Sequence, residues 1–182
     1  MGVFFVKYMD NRGNNYAFID GQNLNLGIKS LGWSLDFKKF RIFLREKYNV
    51  SIAYYFIGYI PKNGNLYSSL RDYGYILIFK PVVTDGQNKP KGNIDADLVL
   101  RAMIDYDKFT KAVIVTSDGD FHCLVKYFVK NNKLLRIIVP NFKYSSLLRK
   151  FSNHIVNIQL FRNKLEKSQQ KREAFPRDET LW

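Results

Sequence analysis

Five aspartates occupy places in this sequence where an α/β chain can do chemistry. Asp20 directly follows the apolar run Tyr16–Ile19. Asp118 and Asp120 follow the apolar run Ala112–Val115, within Thr116-Ser117-Asp118-Gly119-Asp120-Phe121. Asp95 and Asp97 open a helix-like stretch after a loop holding Gly and Pro. In an open α/β sheet the carboxyl ends of the strands line the ligand crevice. Carboxylates gathered there repel one another and raise one another's pKa. A divalent cation relieves that repulsion, and Mg²⁺ and Mn²⁺ favour oxygen ligands. An acidic pocket in a basic chain suits metal-assisted phosphodiester cleavage. Each aspartate alone also has an ordinary use, as a helix N-cap or in an Asp-Gly turn. The coincidence of three such places is what points to a metal.

The elements that must position these acids alternate along the chain. Strands are expected at Tyr16–Asp20, Ser51–Ile60, Tyr75–Val83, Ala112–Thr116 and Leu134–Pro140, with a last short one at His154–Ile158. Helices are expected at Asn23–Ser30, Leu35–Tyr48, Asn65–Tyr73, Ile94–Tyr106, Phe121–Lys130 and Tyr144–Phe151, from apolar residues at helical spacing. A polar loop is expected over Thr84–Asn93. The alternation predicts a single α/β domain with a mainly parallel sheet. The nearly continuous apolar strands agree, because parallel strands are covered on both faces. Residues 1–15 read as a lead-in, 16–167 as the domain and 168–182 as a polar tail.

Charge narrows the partner. There are 29 basic and 16 acidic residues, a net +13. From Phe121 to Leu165 there is no Asp or Glu, while nine Lys and Arg fall there, Lys126 among them. Lys and Arg contacts to phosphate release counterions, so nucleic acid is the expected partner. The single cysteine, Cys123, excludes an internal disulfide framework and a zinc site of several thiolates, and it reads as a small buried residue. No apolar run approaches the roughly 18 residues of a membrane span. No signal-peptide or myristoylation pattern opens the sequence. A soluble, cytoplasmic protein is expected. P-loop, dinucleotide-binding and zincin motifs are absent.

Three segments carry a resemblance. Phe18-Ile19-Asp20-Gly21-Gln22-Asn23-Leu24, Lys91-Gly92-Asn93-Ile94-Asp95-Ala96-Asp97-Leu98 and Thr116-Ser117-Asp118-Gly119-Asp120-Phe121 resemble the signature segments of NYN domains, part of the PIN-like nuclease superfamily. The resemblance spans roughly residues 16–160. It implies a Rossmann-like five-stranded sheet in the order 3-2-1-4-5 with helices on both faces. It implies a ribonuclease dependent on Mg²⁺ or Mn²⁺. Carried over by position, Asp20, Asp95, Asp118 and Asp120 are the metal-holding acids, with Asp97 a competitor to Asp95. Asn23 is the matching Asn, expected to orient a water, ligand or phosphate. Many relatives carry a further acid where this chain has Arg101.

The expected reaction is hydrolysis of single-stranded RNA, leaving 5′-phosphate and 3′-hydroxyl ends. Lys91, Thr116, Ser117 and Lys126 are the expected substrate-binding residues. Tyr59, Tyr67, Phe142 and Tyr144 are weighed as base-stacking aromatics and His122 as an acid or base, with packing or capping the favoured reading for each. The competing functions are a non-catalytic RNA-binding or adaptor module, a DNA-directed nuclease and a phosphatase. No membrane partner is expected, and homodimerisation fits the family.

Overall fold

The strand that ends in Asp20 shows how the sheet is built. β1 (Asn15–Asp20) is buried along its whole length, and its side chains alternate between two cores. Ala17 and Ile19 enter one core with Leu24, Ile28, Phe40 and Leu44. Tyr16 and Phe18 enter the other with Leu98, Ala102, Leu124 and Phe128. Asp20 continues the second parity. The computed structural model describes residues 14–80, 83–84, 90–91 and 94–168.

The other strands of the main sheet are β2 (Val50–Gly58), β3 (Tyr75–Lys80), β6 (Ala112–Val115), β7 (Leu134–Val139) and β8 (Ile155–Asn157). Between β3 and β6 the short strands β4 (Val83–Thr84) and β5 (Pro90–Lys91) pair antiparallel. The main sheet runs β3-β2-β1-β6-β7-β8. Every pairing in it is parallel. The expected order holds, but the sheet has six strands rather than five. The short run near His154–Ile158 supplies the sixth, adding to β7 through Ile137, Ile138 and Val139.

Helices α1 (Gly21–Lys29), α2 (Phe37–Tyr48) and α3 (Gly64–Asp72) bury Leu24, Ile28, Phe40, Leu44, Tyr67 and Leu70 in the first core. Helices α4 (Ile94–Ile104) and α5 (His122–Lys130) cover the opposite face through Leu98, Ala102, Leu124, Val125 and Phe128. Aromatic rings fill this second layer. Phe18 stacks on Tyr54 at 5.7 Å and meets Phe109 edge-on at 5.6 Å. Such pairs contribute about 0.5–1.5 kcal/mol each beyond their burial. A last short helix, α6 (Arg162–Leu165), leads to Glu166, which bridges to Leu35.

Three further expectations change. The helix expected over Tyr144–Phe151 is a 3₁₀ segment, Ser146–His154, broken by the non-helical backbone of Phe151. The expected loop at Thr84–Asn93 includes β5 and the second residue of β4, whose first residue, Val83, is the expected end of the third strand. Asn15, placed in the lead-in, already belongs to β1. Residues 1–13 of the lead-in, and 169–182 of the tail, lie outside the described residues. Among the described residues no helix is long and apolar enough to cross a membrane.

Candidate metal-dependent nuclease site

Asp20 is both the last residue of β1 and the N-cap of α1. Its Oδ1 accepts from the Asn23 amide at 3.1 Å. The strand turns directly into the helix because residue 21 is glycine. A Cβ on Gly21 would overlap the Tyr55 ring and stand 2.7 Å from the Phe56 carbonyl oxygen. In the β1–β6 register Ile19 faces Val115. The next residues along, Asp20 and Thr116, therefore lie level.

Thr116 ties the two strand ends together. Its hydroxyl donates to Asp20 Oδ2 at 3.3 Å and accepts from the Asp118 amide at 3.1 Å. Asp118 in turn caps a short 3₁₀ turn, Gly119–Phe121, accepting from the Asp120 amide at 3.0 Å. Ser117 donates through both its amide and its hydroxyl to Asn23 Oδ1, each at 2.8 Å. The Asn23 carbonyl is thus committed, and its NH₂ is the end left to meet a water or phosphate oxygen.

The electrostatics join acids from three elements. Asp20 is only 6% exposed. Burial is the main cause that pushes its pKa up, to about 6; the Asn23 amide and Thr116 hydroxyl oppose this, while the charges of Asp95 and Asp118 add to it. Asp95, in the first turn of α4, is also raised, by burial and then by Asp118 and Asp120, against the opposing charge of Lys80. Asp95 and Asp120 line one cleft of about 530 Å³ with Ala96, Val99, Leu100 and Met103. Asp97 is not among the charges that shift Asp20 or Asp95. Helix geometry explains this. Asp95 stands three residues before buried Leu98 and seven before buried Ala102, on the stripe that faces the sheet, whereas Asp97 falls about 200° further round the helix.

The sequence matches the NYN domain family over residues 16–166. This chain belongs to the NYN domain family. That family is part of the PIN-like nuclease superfamily, which makes nucleic acid the class of substrate it suggests. No curated protein matches the chain. The fold of this NYN domain is similar to the crystal structure of a protein of unknown function from Vibrio parahaemolyticus. The TM-score is 0.71 at 21% identity, covering 87% of this chain and 98% of that one.

The donors of the NYN domain fit a hard divalent cation in kind. They are carboxylate oxygens whose charges act on Asp20 and Asp95, and among the described residues no Lys or Arg pairs with the buried Asp20. Among the described residues no three His, Cys, Asp or Glu side chains are drawn close enough to grip one ion together. Mg²⁺ takes only one or two carboxylates directly and keeps several waters.

The remaining expected residues divide. Thr116 is buried and Ser117 half-buried, both bonded within the acid loop. Lys126 is exposed on α5. Lys91 lies in β5, and its side chain is outside the described residues. Lys80, at the carboxyl end of β3, was not singled out from the sequence, yet its charge acts on Asp95. Arg101, where the family resemblance leads one to expect an acid, packs beside the second core. Its guanidinium lies 4.0 Å from buried Asp105 and over the Tyr54 ring.

Tyr67 is buried, and its hydroxyl accepts from the Ile60 amide at 2.7 Å, so it is unavailable for base stacking. Tyr59 and Phe142 are exposed, and Tyr144 is half-buried against the second core. His122 Nδ1 is 3.0 Å from the Gly119 carbonyl, a capping contact. Cys123 is exposed rather than buried, with its sulfur 3.3 Å from His122 Nε2. The period of α5 explains it: Leu124, Val125 and Phe128 point inward, and position 123 falls outside that stripe.

Proposed function

We propose that this NYN domain is a metal-dependent endoribonuclease of the cytoplasm that hydrolyses phosphodiester bonds in single-stranded RNA. One observation carries the reading. A buried carboxylate, Asp20, ends its strand near Asp118 and the first turn of α4, where the charges of Asp95 and Asp118 make it harder to ionise and those of Asp118 and Asp120 do the same to Asp95. Asp20, Asp95, Asp118 and Asp120 hold Mg²⁺ or Mn²⁺, partly through water. When bound, such an ion supplies neutralising charge and lowers the pKa of a water, the nucleophile for in-line attack on phosphorus.

The chain's own groups do the rest. Thr116 fixes the spacing of Asp20 and Asp118. Ser117 holds the Asn23 amide so that its NH₂ orients a water or a non-bridging oxygen. Lys80 offsets charge near Asp95, and Lys91, four residues before Asp95 in the sequence, is the further cation expected to bind substrate. Exposed Lys126, Lys130, Lys143, Arg149, Lys150 and Lys164 track the RNA backbone. A flexible single strand reaches acids recessed at strand ends more readily than a stiff duplex. Cleavage by metal-activated water leaves 5′-phosphate and 3′-hydroxyl ends.

Substrate competition tests this reading. Single-stranded RNA, duplex RNA, single-stranded DNA and a small phosphate ester are offered with Mn²⁺. Preferential cutting of single-stranded RNA, with 5′-phosphate products, is the expected result. Faster cutting of DNA, or of the ester, replaces the reading with a DNA-directed nuclease or a phosphatase. RNA binding without cleavage in any metal replaces it with an adaptor.

A further inference from the structure

The cleft that holds Asp95 and Asp120 is acidic only in part. The rest of its described wall is apolar, made by Ala96, Val99, Leu100 and Met103 of α4. Helix geometry sets these four within about 100° of one another. Met103 stands eight residues beyond Asp95, about 12 Å along the axis. An apolar stripe therefore runs from the acid at the start of α4 for about two turns.

α4 does not need this stripe to dock. Leu98 and Ala102, both fully buried, already anchor it in the second core. Val99 is only partly buried against that core. Leu100 is 59% exposed and Met103 38%. A helix with one covered face ordinarily carries polar or charged residues on the other. Exposed apolar surface rimmed by polar groups marks a binding groove. At about 530 Å³ the cleft falls within the roughly 300–1,000 Å³ of sites that take small organic groups.

The two parts of the wall select the occupant. Its acids meet a phosphate through a divalent cation, and its aliphatic side chains meet a flat apolar face. A nucleotide joins those two features at about the span of the stripe, from phosphate to the far edge of the base. Charge favours a nucleotide strand over a second copy of the chain. The net charge of +13 makes two copies repel, whereas it draws in a polyanion.

We propose that Val99, Leu100 and Met103 form a nucleobase subsite, packing on the base of the nucleotide whose phosphate meets the acid cluster. The proposal deepens the nuclease reading and rests on its claim that the ligand is nucleic acid. Aliphatic contacts to a base face offer no hydrogen-bond pattern to read. The subsite therefore ranks bases by buried apolar area, purine above pyrimidine.

Methyl NMR of the full chain tests this without any cleavage. The chain has three methionines, and labelling their methyl groups with ¹³C gives a small set of signals, with Met103→Leu assigning that of Met103. The probes, in Mg²⁺, are AMP, UMP and ribose 5-phosphate. All three carry a 5′-phosphate and none has a phosphodiester to cut. The ring current of a stacked base should move the Met103 methyl upfield with AMP, saturating at about 1–10 mM. UMP should bind more weakly, and ribose 5-phosphate should leave the signal in place. Leu100→Ala, at an exposed position, should weaken AMP by about threefold or more. The proposal is overturned if neither nucleotide moves the methyl, if ribose 5-phosphate moves it equally, or if Leu100→Ala binds AMP unchanged. It is also overturned if the signal moves with protein concentration alone, which would seat a second copy in the cleft. A methyl that answers AMP in a chain that cuts no RNA supports the subsite and removes the reaction. A chain that cuts RNA while the methyl ignores both nucleotides keeps the reaction and overturns the subsite.

Discussion

Asp20 and Thr116 face each other across the ends of two adjacent parallel strands, and the Thr116 hydroxyl donates to Asp20 Oδ2 at 3.3 Å. The Thr116 hydroxyl oxygen also accepts from the Asp118 amide at 3.1 Å. One buried hydroxyl thus sets the position of two acids that repel each other.

Thr116→Val keeps the shape of this side chain and removes the link. Leaving Asp20 with one fewer donor should push its pKa further up. Losing a buried hydrogen bond should cost about 1–2 kcal/mol of stability. Side-chain NMR of Asp20 over pH, with denaturant unfolding, reads both. An Asp20 midpoint that stays put or falls contradicts the arrangement.

Asp20 also predicts a pH dependence of stability in EDTA. Its folded pKa of about 6 lies above the ordinary 3.8, so the folded state holds this proton more tightly than the unfolded chain. Its contribution is therefore present at and below pH 3.8 and is lost as pH rises through about 6. From this group alone the change is at most about 3 kcal/mol. Asp20→Asn retains an N-cap residue of equal quality. At pH 7.5 it should unfold at a higher denaturant concentration than the parent, while losing activity. Parent and variant should converge near pH 4. A variant less stable than the parent at pH 7.5 refutes the claim that the ionised Asp20 is destabilising.

Gly119 sits between Asp118 and Asp120 because nothing larger fits. A Cβ there would overlap Ser145 Oγ and come within 2.9 Å of Ser145 Cβ. Ser145 also donates its amide to the Ser117 carbonyl at 3.0 Å, so the segment presses on the acid loop from outside. Gly119→Ala should cost about 1–3 kcal/mol and slow cleavage by displacing both acids. Adding Ser145→Gly should restore most of both. Failure of the double variant to recover stability would show that space is not what requires the glycine.

The two aspartates of α4 should separate in kinetics. Asp95→Asn should lose at least the roughly 10–100-fold that even outer-shell partners of a metal cost. Asp97→Asn should stay within about threefold of the parent, a change of under about 1 kcal/mol in barrier. The reverse ranking would place Asp97, not Asp95, in the cluster. Metal titration of both variants distinguishes lost affinity from a slowed reaction.

The parts of this molecule that were legible in sequence follow from patterns with one physical solution. Tyr16–Asp20 and Ala112–Thr116 read as strands because apolar runs that short, stopped by Asp-Gly or Thr-Ser-Asp, suit a sheet covered on both faces. Their acids then had to fall at one edge. The sixth strand is itself legible as the short run near His154–Ile158, and the count of five comes from the family resemblance, which leaves out this three-residue strand at the sheet margin. Lys80 was hidden because its relation to Asp95 depends on how α4 crosses the sheet, which no local spacing states. Cys123 was misread from residue type, although the stripe of Leu124, Val125 and Phe128 already turned it outward.

The central claim is that the acids act together with a divalent ion on RNA. The most direct measurement is cleavage of end-labelled single-stranded RNA by the full chain in Mg²⁺, Mn²⁺ or EDTA, beside Asp118→Asn. The account predicts cutting in Mg²⁺ or Mn²⁺ that stops in EDTA and in the variant. Cleavage that persists in EDTA, or equally in Asp118→Asn, would contradict it.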